Sequence, residues 1–322
     1  MTDGSKTAGK AEPIFPVSGN VPALITPFDS VGRVDYDAFD ALLEWHLKRG
    51  VDGLCIAGDN GESWALAPQD RRRLAEQAVR AAAGRIPVIV GASAPTARAS
   101  IAYAEALADT GIAGLMIGPQ AYLMKATTRE LVERMERIHS AVPLPLILYN
   151  SPRRTGISLT IETMRALTDA VPVIALKEAS RDFFYLTHVI REFRTRLAVL
   201  VGPAPFILPG LQLGAAGFIS SGPEFFGAET SRAASLVGSV PMNDSLRDLH
   251  SRYTRIYETL MTLGTWPAAL KATHNILGLP GGMPHEPVLP LDPSDMATLR
   301  NVLLEVGATA ATSETAAPSD RV

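Results

Sequence analysis

The chain has 322 residues, 47% hydrophobic and 20% charged, with a formal net charge of −3. This is the composition of an ordinary globular chain with ample material for a core, and its weak negative balance predicts no attraction to nucleic acid or to a membrane surface. Six scattered histidines form no HExxH and no His/Cys cluster, so no metal site is expected, and the single cysteine, Cys55, has no partner for an internal disulfide.

Residues 1–13 are small and polar, without the apolar centre of a signal peptide, and read as a disordered N-terminal arm. No stretch is long and apolar enough to span a bilayer. From Val21 onward, short apolar runs alternate with longer segments of helical spacing. The predicted strands are Val21–Thr26, Gly53–Ala57, Pro87–Gly91, Gly114–Gly118, Pro145–Asn150, Val173–Lys177, Leu197–Gly202 and Gly217–Ser220. Between them, Tyr36–Arg49, Pro68–Ala83, Thr96–Thr110 and Thr128–Ala141 read as helices, several opening on Pro, Thr or Asp. Helical patterns continue through Glu229–Val237, Ser245–Leu263, Pro267–Leu277 and Pro293–Val306.

Regular strand–helix alternation argues for parallel strands covered by helices. About eight repeats fit a (β/α)8 TIM barrel over residues 14–225, followed by a C-terminal helical layer over 226–306 and an Ala/Thr/Ser-rich disordered tail over 307–322. A doubly wound open sheet is the alternative, but no GxGxxG follows the first strand to support a dinucleotide site. In a barrel, functional groups gather at the C-terminal strand ends. That places Asp59-Asn60-Gly61-Glu62, Tyr122, Tyr149 with Arg154, Lys177, and Ser220-Ser221 around one mouth.

Lys177 ends the apolar run Val171–Leu176. Burial there disfavours the ammonium, and a neutral amine can attack a ketone to form a Schiff base. Tyr149 occupies the matching position one strand earlier. The competing reading has Lys177 leaving the mouth to pair with a carboxylate such as Glu178, and Tyr149 serving as an aromatic plug.

Four stretches carry a resemblance: Gly58-Asp59-Asn60-Gly61-Glu62, Tyr149-Asn150-Ser151-Pro152-Arg153-Arg154-Thr155-Gly156, Leu176-Lys177-Glu178-Ala179, and Gly214-Ala215-Ala216-Gly217-Phe218-Ile219-Ser220. In this order and after these strands, the chain resembles the dihydrodipicolinate synthase / N-acetylneuraminate lyase superfamily of Schiff-base class I aldolases over roughly residues 14–305. The resemblance implies an imine between Lys177 and the ketone of pyruvate or a related 2-oxo acid, with Tyr149 shuttling the proton and no external cofactor. It further implies substrate contacts from Asp59, Asn60, Arg154, Tyr122 and Ile219, and a homotetramer built as a dimer of dimers, while the single cysteine fits a reducing cytoplasm. The Gly58–Glu62 turn is expected to offer backbone N–H groups to a carboxylate, and Glu62 to be a structural acceptor for turn amides. Arg154 matches the arginine that, in the synthases, grips the second substrate's carboxylate. Its competing reading is a solvated loop charge.

The chain also departs from the pattern. Relatives usually carry two small hydroxyl residues where Asp59 and Asn60 stand. Asn60 is expected to donate its amide to a carboxylate. An ionised Asp59 cannot donate, and two unit charges about 4 Å apart at an effective dielectric near 20 repel by roughly 4 kcal/mol. Asp59 is therefore expected to point away, to be protonated, or to meet a substrate hydroxyl or amine. The family tyrosine that reaches across from a neighbouring subunit aligns with Ala121, and a one-residue shift would let Tyr122 replace it. His285 stands where many members have an arginine, which makes it either a pocket residue or a surface histidine.

Three functions follow. The first is a Schiff-base lyase or aldolase acting on pyruvate or a (hydroxy-)2-oxo acid outside the lysine pathway, with dehydration or deamination through the same imine open. The second is a true 4-hydroxy-tetrahydrodipicolinate synthase, condensing pyruvate with an aspartate-derived semialdehyde. The third is a barrel that has lost catalysis and only binds a metabolite.

Overall fold

The computed structural model describes residues 16–311. Eight strands form one parallel sheet: β1 (Gly19–Asn20), β2 (Leu54–Ile56), β3 (Val88–Gly91), β4 (Gly114–Ile117), β5 (Leu146–Asn150), β6 (Val173–Glu178), β7 (Ala198–Val201) and β8 (Gly217–Phe218). The hydrogen-bonded order runs β1-β8-β7-β6-β5-β4-β3-β2, and a parallel bridge between Ala23 and Cys55 joins its two ends. The molecule is thus the expected (β/α)8 barrel.

The first strand sits earlier than predicted. Pro22 has no N–H, so the chain cannot pair continuously on one side through Val21–Thr26. Instead Gly19, Val21 and Ala23 donate to Ala216, Phe218 and Ser220 at 2.8, 3.1 and 3.3 Å, while Leu24 donates to Cys55 and Cys55 to Pro22 at 2.9 and 3.0 Å. The close approach of β1 and β8 excludes a side chain at Gly217, where a Cβ would lie 2.3 Å from the Gly19 backbone.

The helices are α1 (Tyr36–Lys48), α2 (Pro68–Ala82), α3 (Ala97–Leu107), α4 (Thr128–Ala141), α5 (Pro152–Thr155), α6 (Ile161–Ala170), α7 (Phe183–Phe193), α8 (Ile207–Gln212), α9 (Ala228–Leu236), α10 (Asp244–Thr262), α11 (Ala268–Ile276) and α12 (Pro293–Glu305). Their starts follow the capping chemistry read from the sequence. Thr127 and Glu130 form a reciprocal capping box on α4, and Asp35, Thr96, Thr160 and Asp182 each cap a helix with a side-chain oxygen.

Alternation along the strands sorts residues into two cores. Leu54, Ile56, Val88, Val90, Leu115, Leu146, Leu148, Leu176, Val199 and Val201 face the helices. Cys55, Ile89, Met116, Ile147, Ala175, Ala198, Leu200 and Ile219 fill the barrel interior. Both faces are dry, which is why the strands read as unbroken apolar runs. Two residues per repeat along β5 and β6 then bring Tyr149 and Lys177 onto the interior face, as partners in register. The next residues, Asn150 and Glu178, turn outward.

The C-terminal helices share the barrel's core: Phe225, Phe226, Leu249, Tyr253 and Ile256 belong to the same apolar cluster as the outward strand residues. Residues 307–311, expected to open a disordered tail, pack back instead. Arg49 donates to the Thr309 carbonyl at 2.7 Å, Trp45 to that of Ala310 at 2.9 Å, and Thr309 N–H to Phe225 at 2.9 Å. The predicted arm at 1–13 and the remainder of the tail lie outside the described residues.

Candidate active site

Lys177 is 6% exposed at the top of the interior. Its Nζ lies 4.8 Å from the centre of the Tyr149 ring and has no hydrogen bond or ion pair to any described residue. The expected competitor, Glu178, faces the other way: its carboxylate accepts from Asn150 Nδ2 at 2.6 Å and Ser180 N–H at 2.7 Å. Burial pushes the Lys177 pKa down, opposed by Cys55 and Asp59 and reinforced by Arg154. Burial likewise raises the Tyr149 pKa, with the Asp59 charge adding to it and Ser151 opposing. An amine biased toward its neutral form therefore stands beside a phenol held in its protonated form. Such a pair can attack a carbonyl and exchange protons with the adduct.

Asp59 has a partner within the protein that the sequence did not suggest. Arg154 donates to its Oδ2 from Nε at 2.9 Å and from Nη2 at 2.8 Å, so the two charges neutralise one another inside the mouth. Arg154 is thereby taken from the role of a free carboxylate grip. Asn60 is also committed, against expectation: its amide donates to the Ala23 carbonyl at 2.7 Å and to Ser221 Oγ at 2.5 Å. Both protons are used, which ties the β2 turn to the segments after β1 and after β8. What remains for a bound carboxylate is the backbone N–H of Asn60 and Gly61, which donate to no described residue, the Ser221 hydroxyl proton, and the buried, unpartnered Ser220 Oγ.

The turn is held from below by two buried cations. Glu62, at φ 52°, forms an ion pair with Lys271 and accepts the His285 N–H at 2.7 Å. It is structural as expected, but it serves the C-terminal layer and not the amides of its own turn. His285 packs edge-on against Phe28 with ring centres 5.0 Å apart and does not line the cavity. The second cation, Arg71, is buried without a carboxylate. It donates to the carbonyls of Ala57 at 3.1 Å and Gly91 at 2.5 Å and to that of Ser63, and it stacks 4.0 Å from the Tyr103 ring centre.

These groups enclose a cavity of about 360 Å³. Lys177, Tyr149, Asp59, Asn60, Arg154 and Ile219 all line it, as do Ser220 and Ser221. Tyr122 does not: it is 89% exposed, at φ 78°, on the loop before α4. Ala121, which aligns with the family tyrosine, lines a second cavity of about 420 Å³ that shares Asp59, Tyr149 and Arg154 with the first. Among the described residues, no three His, Cys, Asp or Glu side chains gather as a metal-ligand set.

Tyr257 and Arg181 are among the lining residues that had not been anticipated. Tyr257 comes from α10, so the C-terminal layer completes the mouth. Arg181 follows Lys177 by four residues and donates from Nε to the Tyr257 hydroxyl at 3.3 Å. Sequence periodicity places Tyr257 beside the buried stripe of its helix but says nothing of the barrel end over which that helix passes.

Comparison with known proteins agrees with this geometry. The model of the dihydrodipicolinate synthetase family matches residues 16–306. The chain is 35% identical over 296 residues to the 4-hydroxy-tetrahydrodipicolinate synthase of Sorangium cellulosum, covering 89% of this chain and 94% of that one. Its fold superposes on the dihydrodipicolinate synthase of Aquifex aeolicus with a TM-score of 0.83 at 28% identity, covering 91% and 99% of the two chains. The dihydrodipicolinate synthase of Acinetobacter baumannii, solved in complex with pyruvate, gives a TM-score of 0.83 at 27% identity over 90% and 99%. With a family match across nearly its whole length, this chain belongs to the dihydrodipicolinate synthetase family and is a lyase of the class I aldolase type.

Proposed function

We propose that the protein cleaves or forms a carbon–carbon or carbon–oxygen bond in a 2-oxo acid, pyruvate or a hydroxylated relative, through an imine on Lys177. The observation that carries this reading is Lys177 Nζ, buried, unpaired and next to Tyr149. The neutral amine attacks the C2 ketone, and loss of water from the carbinolamine leaves a protonated imine. That cation draws electrons from C3. Loss of a C3 proton, or of an aldehyde from a 4-hydroxy substrate, then gives an enamine, and water finally returns the free lysine and the product. Tyr149 carries the protons, and the protonated imine on Lys177 serves as the electron sink without an external cofactor. The carboxylate beside the ketone is received by the N–H groups of Asn60 and Gly61 and by the hydroxyls of Ser220 and Ser221, with Ile219 as the apolar floor.

Condensation with an aspartate-derived semialdehyde, the activity named for the Sorangium relative, would ask Arg154 to hold a second carboxylate. The Asp59 ion pair on Arg154 favours a different second reactant. A cytoplasmic homotetramer is part of the proposal. It is supported by the exposed run Tyr122, Leu123 and Met124, which calls for a covering surface, and by a lone buried thiol at Cys55.

Proton exchange tests the chemistry without knowledge of the second reactant. In D2O, the wild-type protein is expected to exchange the methyl protons of pyruvate, followed by NMR, and Lys177→Ala to lose that exchange. Exchange at the wild-type rate in the variant would remove the enamine from the account.

A further inference from the structure

We infer that Arg181, steadied by Tyr257, forms a binding site for a carboxylate at the far end of the substrate, so that the preferred substrate is a 2-oxo diacid. The inference rests on the imine reading above and adds to it a substrate class.

The charge around the cavity is lopsided. Lys177, Arg153, Arg154 and Arg181 line it against a single carboxylate, Asp59. That carboxylate is spent on Arg154, and burial biases Lys177 toward its neutral form. Arg181 forms no ion pair with any described residue. The acids near it in the chain are committed elsewhere: Asp182 caps α7 by accepting the Tyr185 N–H at 3.0 Å, and Glu178 holds Asn150 and Ser180. An arginine facing a cavity without a counter-ion is suited to an anionic ligand.

The backbone is shaped to present this side chain. Arg181 sits at φ 66°, in the left-handed region that glycine fills without penalty and an arginine occupies at a cost. It lines the same cavity as Lys177, four residues further along the chain. Its guanidinium carbon lies 5.1 Å from the centre of the Tyr257 ring, and only Nε is used, on the Tyr257 hydroxyl. The two terminal nitrogens are left for a forked contact with a carboxylate, and the Tyr257 hydroxyl can donate its own proton to the same group. A diacid would therefore be held at both ends, with its ketone between them beside Lys177.

Reductive trapping reads this without turnover. Lys177 is incubated with 2-oxopentanedioate or with 2-oxopentanoate, which differ only in the terminal group, and borohydride reduces each C=N bond to a stable secondary amine. The concentration giving half-maximal labelling is compared. In the wild type the diacid is expected to half-saturate at least about tenfold below the monoacid, the factor a charge-assisted contact supports. In Arg181→Gln the ratio falls to about one. Arg181→Gly, which also removes the left-handed strain, gives the same result, and Tyr257→Phe reduces the ratio severalfold. Equal half-saturation of the two acids in the wild type, or a ratio that survives in both Arg181 variants, overturns the inference while leaving the imine intact. Absence of labelling by either acid overturns the imine reading, and the inference with it.

Discussion

The ion pair between Glu62 and Lys271 makes the stability of the fold depend on the turn that shapes the site. The two side chains are 0% and 1% exposed. Lys271 also donates to the Met283 carbonyl at 2.6 Å and lies 4.5 Å from the Phe28 ring centre, while Glu62 accepts the His285 N–H. Burial raises the Glu62 pKa and lowers that of Lys271 to about 8, so each charge is tolerated because the other is there. Lys271→Met fills the space but leaves a carboxylate in a dry site, at a cost of about 3–5 kcal/mol. At about 1.5 °C of melting temperature per kcal/mol for a chain of this size, the midpoint should fall by about 4–7 °C. Glu62→Gln keeps an acceptor for His285 and removes the charge. The double variant should recover much of the loss, giving a coupling energy above about 1.5 kcal/mol in a double-mutant cycle from urea melts. Because Glu62 anchors the turn bearing Asp59 and Asn60, Lys271→Met should also raise the pyruvate concentration needed for half-maximal trapping. A loss below about 1 kcal/mol in Lys271→Met, or additive single variants, would refute this reasoning.

Other expectations follow from individual residues. Tyr149→Phe should slow pyruvate proton exchange by about 10²- to 10⁴-fold yet still permit an imine on Lys177, and exchange at the wild-type rate would remove Tyr149 from proton transfer. Because the neutral amine is the nucleophile and burial lowers the Lys177 pKa, trapping should rise with pH to a plateau whose midpoint lies below the 10.5 of a free lysine; a midpoint at or above that value would contradict the burial argument. His274 is held neutral by burial, its pKa lowered from 6.5 to about 4, with Nδ1 on the Leu270 carbonyl at 2.9 Å. A depressed folded-state value means its contribution is complete above 6.5 and lost as pH falls toward 4. Urea melts at pH 7 and pH 4.5 should therefore show a smaller acid loss in His274→Gln than in the wild type, and an unchanged loss would contradict the assignment.

How far the sequence could be read depends on the range of the interaction. Lys177 and Tyr149 were legible because each ends a strand, and strand alternation with parallel register is enough to bring them together. The Thr127–Glu130 capping box at the start of α4 is an equally local feature. The Asp59–Arg154 pair joins residues 95 positions apart. Each residue alone suggested contact with a substrate, and only the fold reveals that they satisfy one another. Asn60 misled in the same way, since its amide protons go to Ala23 and Ser221, both distant in the chain. Tyr257 belongs to a helix with an unexceptional amphipathic pattern, and which barrel end it covers is a tertiary fact. Pro22 was visible from the start, yet its effect on β1 emerges only when the hydrogen bonds on both sides of that strand are followed. Residues 307–311 looked like tail by composition, but their backbone carbonyls find Arg49 and Trp45.

The central claim is that Lys177 is the nucleophile. Its most direct test is incubation of the full-length protein with pyruvate and borohydride, followed by peptide mapping in a mass spectrometer. Lys271, also buried with a lowered pKa but tied to Glu62, is an internal control. The account predicts a carboxyethyl adduct on Lys177 alone. Labelling of Lys271 in its place, or no adduct with pyruvate or with any longer 2-oxo acid, would contradict it and leave a barrel that only binds its metabolite.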